Sequence, residues 1–156
     1  GLGACLVEDG QPVEAIFDDI CDLDEHILQC ARGSSDGQQI WEALSLLIAL
    51  RWWAPRWRQR RVTLHVASDS ITALTAVVKM KANGVSTALI ARELALDIAD
   101  ALYEPALVQH LPGVANVVAD WLSQPSKRAS SPTPAALRGV PVRRAPARDW
   151  SWWRTL

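Results

Sequence analysis

Cysteine is scarce in this 156-residue sequence, which contains only Cys5, Cys21 and Cys30. The set is odd and has no Cys-x-x-Cys pair, so it argues against both a disulfide framework and a zinc ribbon. Cys21 and Cys30 with His26 would offer three metal ligands at a spacing that fits no familiar zinc site. Buried thiols are the better interpretation.

Long apolar runs are also missing. The longest, near "ALSLLIAL", is broken by Ser45 and flanked by Glu42 and Arg51, whereas a bilayer span needs about 20 apolar residues. We therefore predict no membrane helix and no membrane partner. The sequence begins at Gly1 and has no basic-then-apolar signal segment, so we interpret it as a piece of a longer protein.

Lysine is also scarce, with 3 lysines against 13 arginines. We interpret this ratio first as a coding bias and second as a hint of phosphate binding.

The charges are also unevenly distributed along the sequence. Residues 125–156 carry seven basic groups and one acid, a net charge of +6, so residues 1–124 hold −7 against an overall charge of −1. Because this tail also holds five of the nine prolines and no regular period, we predict one folded domain over 1–124 and a disordered basic tail over 125–156.

Hydrophobic patterning predicts the first elements of the folded domain. Two strands joined at Asp9-Gly10 read as a hairpin. Residues 21–34 fit either a third short strand or an irregular excursion. A Ser-x-x-Gln capping box at Ser35 begins an almost entirely apolar and therefore buried helix, which Pro55 ends.

The rest of the domain alternates strands with helices. Val62, Leu64 and Val66 alternate as in a strand, and residues 71–81 follow as a helix. Apolar residues at every fourth position predict a second helix over 85–103, and we interpret its acids, Glu93 among them, as an ordinary solvated side. A last strand and a final helix complete an α/β layered domain.

Three acids lie where a core or a sheet edge favours an uncharged residue: Glu42, Asp69 and Asp120. Each has an ordinary explanation. Glu42 suits the first turn of its helix, Asp69 suits the start of the helix that Ser70 caps, and Asp120 can pair with an arginine of the loop "PRWRQRR". Asp120 is the sharpest case, since its helix is otherwise apolar on most sides and a charge there needs a partner.

The stretch "HLPGVANVVADWLSQ", residues 110–124, resembles the closing motif of ribonuclease H domains in retrotransposon polyproteins of the gypsy or DIRS type. That motif is close to His-x-Pro-Gly-x-x-Asn-x-x-Ala-Asp-x-Leu-Ser. The opening "GLGACL", the glutamate of "QQIWEAL" and the "SDS" after a strand fall in the family's order. The resemblance covers residues 1–124, and the tail lies outside it.

This resemblance implies a ribonuclease H-like fold, an α/β domain with a mixed sheet of about five strands and helices on its faces. It implies hydrolysis of the RNA strand of RNA:DNA hybrids during reverse transcription, beside an upstream polymerase domain of the same polyprotein. The setting would be intracellular, either cytoplasmic or nuclear.

The resemblance also supplies a role for the three acids. In the family, two Mg²⁺ or Mn²⁺ ions about 4 Å apart activate the attacking water and stabilise the leaving 3′ oxygen. Carboxylates suit such ions because they are hard oxygen ligands. By position in the motifs, Glu42, Asp69 and Asp120 match three of the family's four catalytic, metal-binding acids, and a bound cation would explain the charge of Asp120.

Two departures from the family bear on activity. The family's first aspartate precedes the Gly-x-Gly stretch, whereas this sequence begins at Gly1 and Asp9 lies in the predicted turn at the far end of the strand. The connection "PGVAN" carries no loop histidine, and His110 precedes it on the strand; retroelement relatives often lack that histidine too. We therefore expect cleavage by this chain to be impaired by the missing ligand.

A basic and aromatic loop offers a nucleic-acid contact, or simply a solvated connection; its residues are Arg56, Trp57, Arg58, Arg60 and Arg61. The basic tail would add affinity that falls with salt. The main alternative function is a catalytically silent module that binds nucleic acid or tethers a polymerase. An integrase or transposase core ranks lower, because that family places its glutamate after both aspartates, whereas Glu42 precedes Asp69 and Asp120.

Overall fold

The structure is a computed structural model that describes residues 1–57, 62–70, 73–75, 84–100, 103–110 and 116–156. The helices are α1 (Asp22–Leu28), α2 (Gln38–Trp57), α3 (Val85–Asp100), α4 (Val117–Ser123) and α5 (Pro125–Ser130). The strands are β1 (Leu2–Glu8), β2 (Gln11–Asp18), β3 (Val62–Ser68), β4 (Tyr103–His110) and β5 (Val142–Arg144). Most of the helix predicted over 71–81 lies outside the described residues.

The predicted hairpin is confirmed. Strands β1 and β2 pair antiparallel, with Leu2 opposite Asp18. The turn places Asp9 at φ 50° and Gly10 at φ 77°. Two successive positive φ values match the tight turn that suits the right-handed twist of a hairpin, and glycine takes the second position without strain.

The strands form two separate sheets in the described part of the chain. One has the order β1-β2-β5, with β5 parallel to β2, and the other pairs β3 with β4 in parallel. The α/β class is therefore confirmed, while the single mixed sheet of about five strands is not. At Gly3, the outer edge of β1 meets the Ser45 hydroxyl, which accepts from the Gly3 N–H at 3.2 Å and donates to its carbonyl at 3.1 Å. A side chain thus satisfies backbone groups that a neighbouring strand would otherwise pair.

Helix α2 supplies more residues to the main core than any other described element, as its apolar sequence predicts. Leu44 and Leu47 are fully buried, and the helix packs against Leu2 and Ile16 of the hairpin. It passes through Pro55 and ends at Trp57, two residues later than predicted. Proline obstructs the helical turn that precedes it but not the turn that follows it, so the helix can continue beyond Pro55. The buried Trp57 ring packs this final turn of α2 against the core.

Residues 21–34, for which the sequence favoured no single structure, contain the short helix α1. The Cys21 N–H donates to the Asp24 carboxylate at 3.0 Å, so the start of the helix is capped by its own third residue. Cys5, Cys21 and Cys30 are half-buried and form no disulfide with one another, so the predicted burial of these thiols is found only in part. No helix within the described ranges is long and apolar enough to cross a bilayer.

The tail differs from its predicted disorder. Residues 125–156 contain α5, β5 and two 3-10 turns, Ala135–Leu137 and Trp150–Trp152. Ala145 and Trp153 are buried in the main core. The physical reason is electrostatic as well as apolar, because basic side chains of the tail pair with acids of the body, as described below. The composition of the tail indicates disorder only when the tail is considered without the surface of the body against which it packs.

Candidate carboxylate site and its internal cations

Glu42 lies in the first turns of α2, beside the start of β1. Its carboxylate accepts from the Gln38 side-chain amide at 3.1 Å. One turn later, Ser45 contacts Gly3, and near the end of the helix Arg56 pairs with Glu8 at the end of β1. Helix α2 therefore runs along β1 in the same direction, which puts Glu42 level with the first residue of the strand.

Asp120 lies on α4, which packs against the start of β1 from the other face of the sheet. A Cβ built at Gly3 would lie 2.5 Å from the Leu122 Cβ and 3.0 Å from the Ala119 carbonyl oxygen. Only glycine allows the helix to approach the strand this closely. The apolar contacts of α4 are with Ala15 and its neighbours, while α2 packs on the alternate residues of the hairpin.

The carboxylate of Asp120 has two close partners within the chain. Lys127 of α5 donates to one oxygen, and the side-chain amide of Gln124 donates to the other. The Asp120 side chain is 41% exposed and that of Lys127 is 44% exposed. The lone acid in an apolar helix therefore lies at the margin of the packed face. Among the described residues its cation comes from the tail, and not from the loop that the sequence offered as an alternative.

Asp69 is exposed and follows β3 directly, at the carboxyl end of that strand. The next residue, Ser70, accepts from the Ala73 N–H at 3.1 Å through its hydroxyl. Ser70 thus caps the helical residues 73–75, as the ordinary explanation of this segment predicted. That result explains Ser70 and leaves the role predicted for Asp69 open.

The described residues contain no group of three His, Cys, Asp or Glu side chains placed to hold a metal ion. Glu42, Asp69 and Asp120 all belong to this part of the chain, so the structure does not assemble them into a three-ligand site. Both oxygens of Asp120 also accept hydrogen bonds from protein groups. The donor set as placed does not fit a divalent ion.

The basic loop is only partly available for nucleic acid. Trp57 is 5% exposed and belongs to the main core, so little of its ring can contact nucleic acid. Arg56 pairs with Glu14 at 2.7 Å and with Glu8 at 3.4 Å. Arg58, Arg60 and Arg61 lie outside the described residues.

Arg148 is a buried arginine of the tail. Its side chain is 1% exposed, and it contacts Asp24 at 2.7 Å, Asp18 at 2.5 Å and the carbonyl of Asp19 at 2.9 Å. Burial alone would lower the pKa of this guanidinium, but the two carboxylates outweigh it and raise the pKa. The group stays charged, and it compensates two buried acids at once.

Glu93 differs from its sequence interpretation as a solvated acid, since it is 0% exposed. Its carboxylate accepts from the Arg51 guanidinium, from the Arg154 N–H at 2.9 Å, and from the Thr155 N–H at 2.7 Å and hydroxyl at 2.6 Å. Burial would raise the pKa of Glu93, yet the donors of Thr155, Arg154 and Arg51 hold it below its ordinary value. Arg154 and Thr155 come from the distant tail and Arg51 comes from α2, so the periodicity of the helix that carries Glu93 gives no signal for these partners.

Glu14 is a second buried carboxylate with several donors. The indole N–H groups of Trp52 and Trp53 each donate at 3.1 Å, and Arg56 donates at 2.7 Å. Burial tends to raise the pKa of Glu14, but Arg56 and the two indoles outweigh it and lower the pKa. Arg143 of the tail adds a longer contact at 3.5 Å.

These lowered pKa values predict a loss of stability in acid. A carboxyl whose pKa is lower in the folded than in the unfolded chain stabilises the fold above its unfolded pKa, about 4.3 for glutamate. That contribution is lost as the pH falls through the folded pKa. We expect the midpoint of urea unfolding to stay level from about pH 7 to about pH 5 and to fall steeply below about pH 4. Replacing Glu93 with glutamine should lower the plateau and flatten the fall; an unchanged acid slope in that variant would contradict the assignment.

No family model matches this chain, and no curated protein or solved structure matches it. The described geometry is that of an α/β domain whose basic tail pairs with acids of the body.

Proposed function

We propose that this chain is a ribonuclease H-like domain of a retrotransposon polyprotein of the gypsy or DIRS type. Its substrate class is the RNA strand of RNA:DNA hybrids formed during reverse transcription, and its partner is the upstream polymerase domain. The observation that carries the proposal is the packing of α2 and α4 on the start of β1, which brings Glu42 and Asp120 to the same end of one strand.

The proposed ribonuclease H-like fold has support from the element order. An antiparallel hairpin opens the chain, a long buried helix follows, and a parallel strand pair bears Asp69 at the carboxyl end of β3. A single sheet of about five strands would require β3 to pair with the outer edge of β1, in place of the Ser45 hydrogen bonds to Gly3. This joined sheet is part of the proposal.

Impaired cleavage is also part of the proposal. Hydrolysis in the family needs two divalent ions, normally Mg²⁺, and Glu42, Asp69 and Asp120 do not form a group that fits one in the described residues. In the family, a fourth acid, an aspartate of the first strand, completes the ligand set. We expect the three acids to act only together with that fourth ligand.

A catalytically silent module is the second candidate, and one observation favours it. Lys127 and Gln124 already satisfy the carboxylate of Asp120, so this acid is compensated without a metal ion. Such a module would bind the hybrid or tether the polymerase. Its nucleic-acid surface is reduced, because Arg56 is ion-paired and Trp57 is buried.

Cleavage of an end-labelled RNA:DNA hybrid in Mg²⁺ or Mn²⁺ tests the proposal. The chain is compared with a version extended ahead of Gly1 by an aspartate-containing strand, and hybrid binding is measured for both. We expect the extended version alone to cut the RNA strand. Binding by both versions without cleavage would overturn the enzyme and favour the silent module, and absence of both binding and cleavage would contradict both candidates.

A further inference from the structure

We propose that Lys127 is an internal cation that keeps divalent ions off Asp120. The inference rests on the proposed function in one respect, the role of Asp120 as an ion ligand in the family. It adds a form of regulation that the resemblance does not supply, because Lys127 belongs to the tail, outside the residues that the resemblance covers.

The geometry around Asp120 supports this role. Both oxygens of its carboxylate are engaged, one by the Lys127 ammonium and the other by the Gln124 amide. Helix α5, which carries Lys127, starts directly after α4, and the Arg128 N–H donates to the Gln124 carbonyl at 3.0 Å. The ammonium is therefore presented by a helix that is continuous with the site and not by a loose chain end.

A second tail cation lies near the same end of the sheet. Asp18 is paired with Leu2 across the hairpin, and a Cβ built at Gly1 would lie 3.1 Å from the Asp18 carbonyl. Arg144 of β5 contacts the Asp18 carboxylate at 3.0 Å and the Asp19 carboxylate at 3.2 Å. Basic groups of the tail thus pair with acids near the start of β1, Lys127 with Asp120 and Arg144 with Asp18 and Asp19.

The expected effect is moderate, because the Lys127–Asp120 pair is partly exposed to water. A divalent ion at Asp120 must displace the ammonium or bind beside it, and repulsion between such charges about 4 Å apart is weakened but not removed by water. Removing the positive charge should therefore tighten ion binding at Asp120 by about tenfold.

The test measures Mn²⁺ binding to the full chain by electron paramagnetic resonance of the free ion. Lys127→Gln removes the charge, Lys127→Arg keeps it, and Lys127→Gln with Asp120→Asn removes the ligand as well. We expect the first variant to bind Mn²⁺ about tenfold more tightly than the parent, the second to match the parent, and the third to lose the gain. Circular dichroism checks that all four chains keep the same helix content.

Equal Mn²⁺ binding by the parent and Lys127→Gln would overturn the proposal, as would a gain that survives the loss of Asp120. Absence of binding in every chain would overturn it too, since Lys127 would then not be what excludes the ion. The readout is independent of catalysis. A tenfold gain, with no hybrid cleavage by the aspartate-extended chain, would support the internal cation while the proposed enzyme fails. Cleavage by the extended chain without the gain would support the enzyme and overturn the internal cation.

Discussion

Replacing Arg148 with alanine is expected to lower the free energy of unfolding by about 3–5 kcal/mol. The guanidinium is 1% exposed and compensates Asp18 and Asp24, which are themselves buried. Without it, two carboxylates remain in the interior with too few donors, and a buried charge without a partner costs far more than a lost surface pair. Urea unfolding followed by tryptophan fluorescence measures the change directly.

The matched control is Arg138→Ala. Arg138 is an exposed arginine of the same tail, and its removal should change the free energy of unfolding by less than about 0.5 kcal/mol. Equal losses for the two variants would mean that the general charge of the tail, and not the buried position of Arg148, accounts for the effect. A loss below about 1 kcal/mol for Arg148→Ala would contradict the buried ion pairs.

The second large effect is expected for Glu93→Ala, with a loss of about 3–4 kcal/mol. The carboxylate is fully buried and accepts from Arg51 and from the backbone N–H groups of Arg154 and Thr155. Its removal leaves two N–H groups without their acceptor, and the mostly buried Arg51 guanidinium loses one acceptor while it keeps Asp97 and the Trp152 carbonyl. Hydrogen exchange should increase first at residues 150–156, because Glu93 holds that end of the tail.

Asp100→Ala is the control for this second prediction. Asp100 contacts Arg154 at 2.6 Å, but its side chain is 67% exposed, so its pair is expected to contribute less than about 1 kcal/mol. A comparable loss in both variants would indicate that burial does not distinguish the two acids. Unchanged hydrogen exchange of the tail in Glu93→Ala would contradict the anchoring role.

Local patterns predicted the local elements well. The Asp9-Gly10 turn specifies its hairpin, and alternation in Val62, Leu64 and Val66 specifies β3. The apolar run of α2 predicts its burial, because periodicity and turn chemistry act over a few residues. The position of Asp69 at the end of its strand follows from the same reasoning.

The tail could not be predicted in this way. Its prolines and arginines are typical of disorder when they are considered alone. In the structure, however, Arg148 is buried against Asp24, more than a hundred positions earlier in the chain, and Trp153 is buried in the main core. The opposite charges of 125–156 and 1–124 were visible in the sequence. The opposite net charges indicate that the two parts of the chain attract each other, but they do not show which arginine pairs with which acid.

The sequence motifs selected Glu42, Asp69 and Asp120 as the candidate site, and that selection stays a prediction. Asp120 does have a cationic partner, as its charge in an apolar helix predicted. The cation among the described residues is Lys127, seven positions along the chain. A pair across two short helices depends on the angle between α4 and α5, which no residue pattern specifies.

The central claim, that Glu42, Asp69 and Asp120 act as one catalytic group, is tested most directly by hybrid cleavage in the aspartate-extended chain. Glu42→Gln, Asp69→Asn and Asp120→Asn are compared singly with their parent. Residues that act as a unit each cost nearly the whole activity when lost, so we expect every variant to fall at least about a hundredfold below the parent. Full cleavage by any one of them, or no cleavage by the parent, would contradict the account.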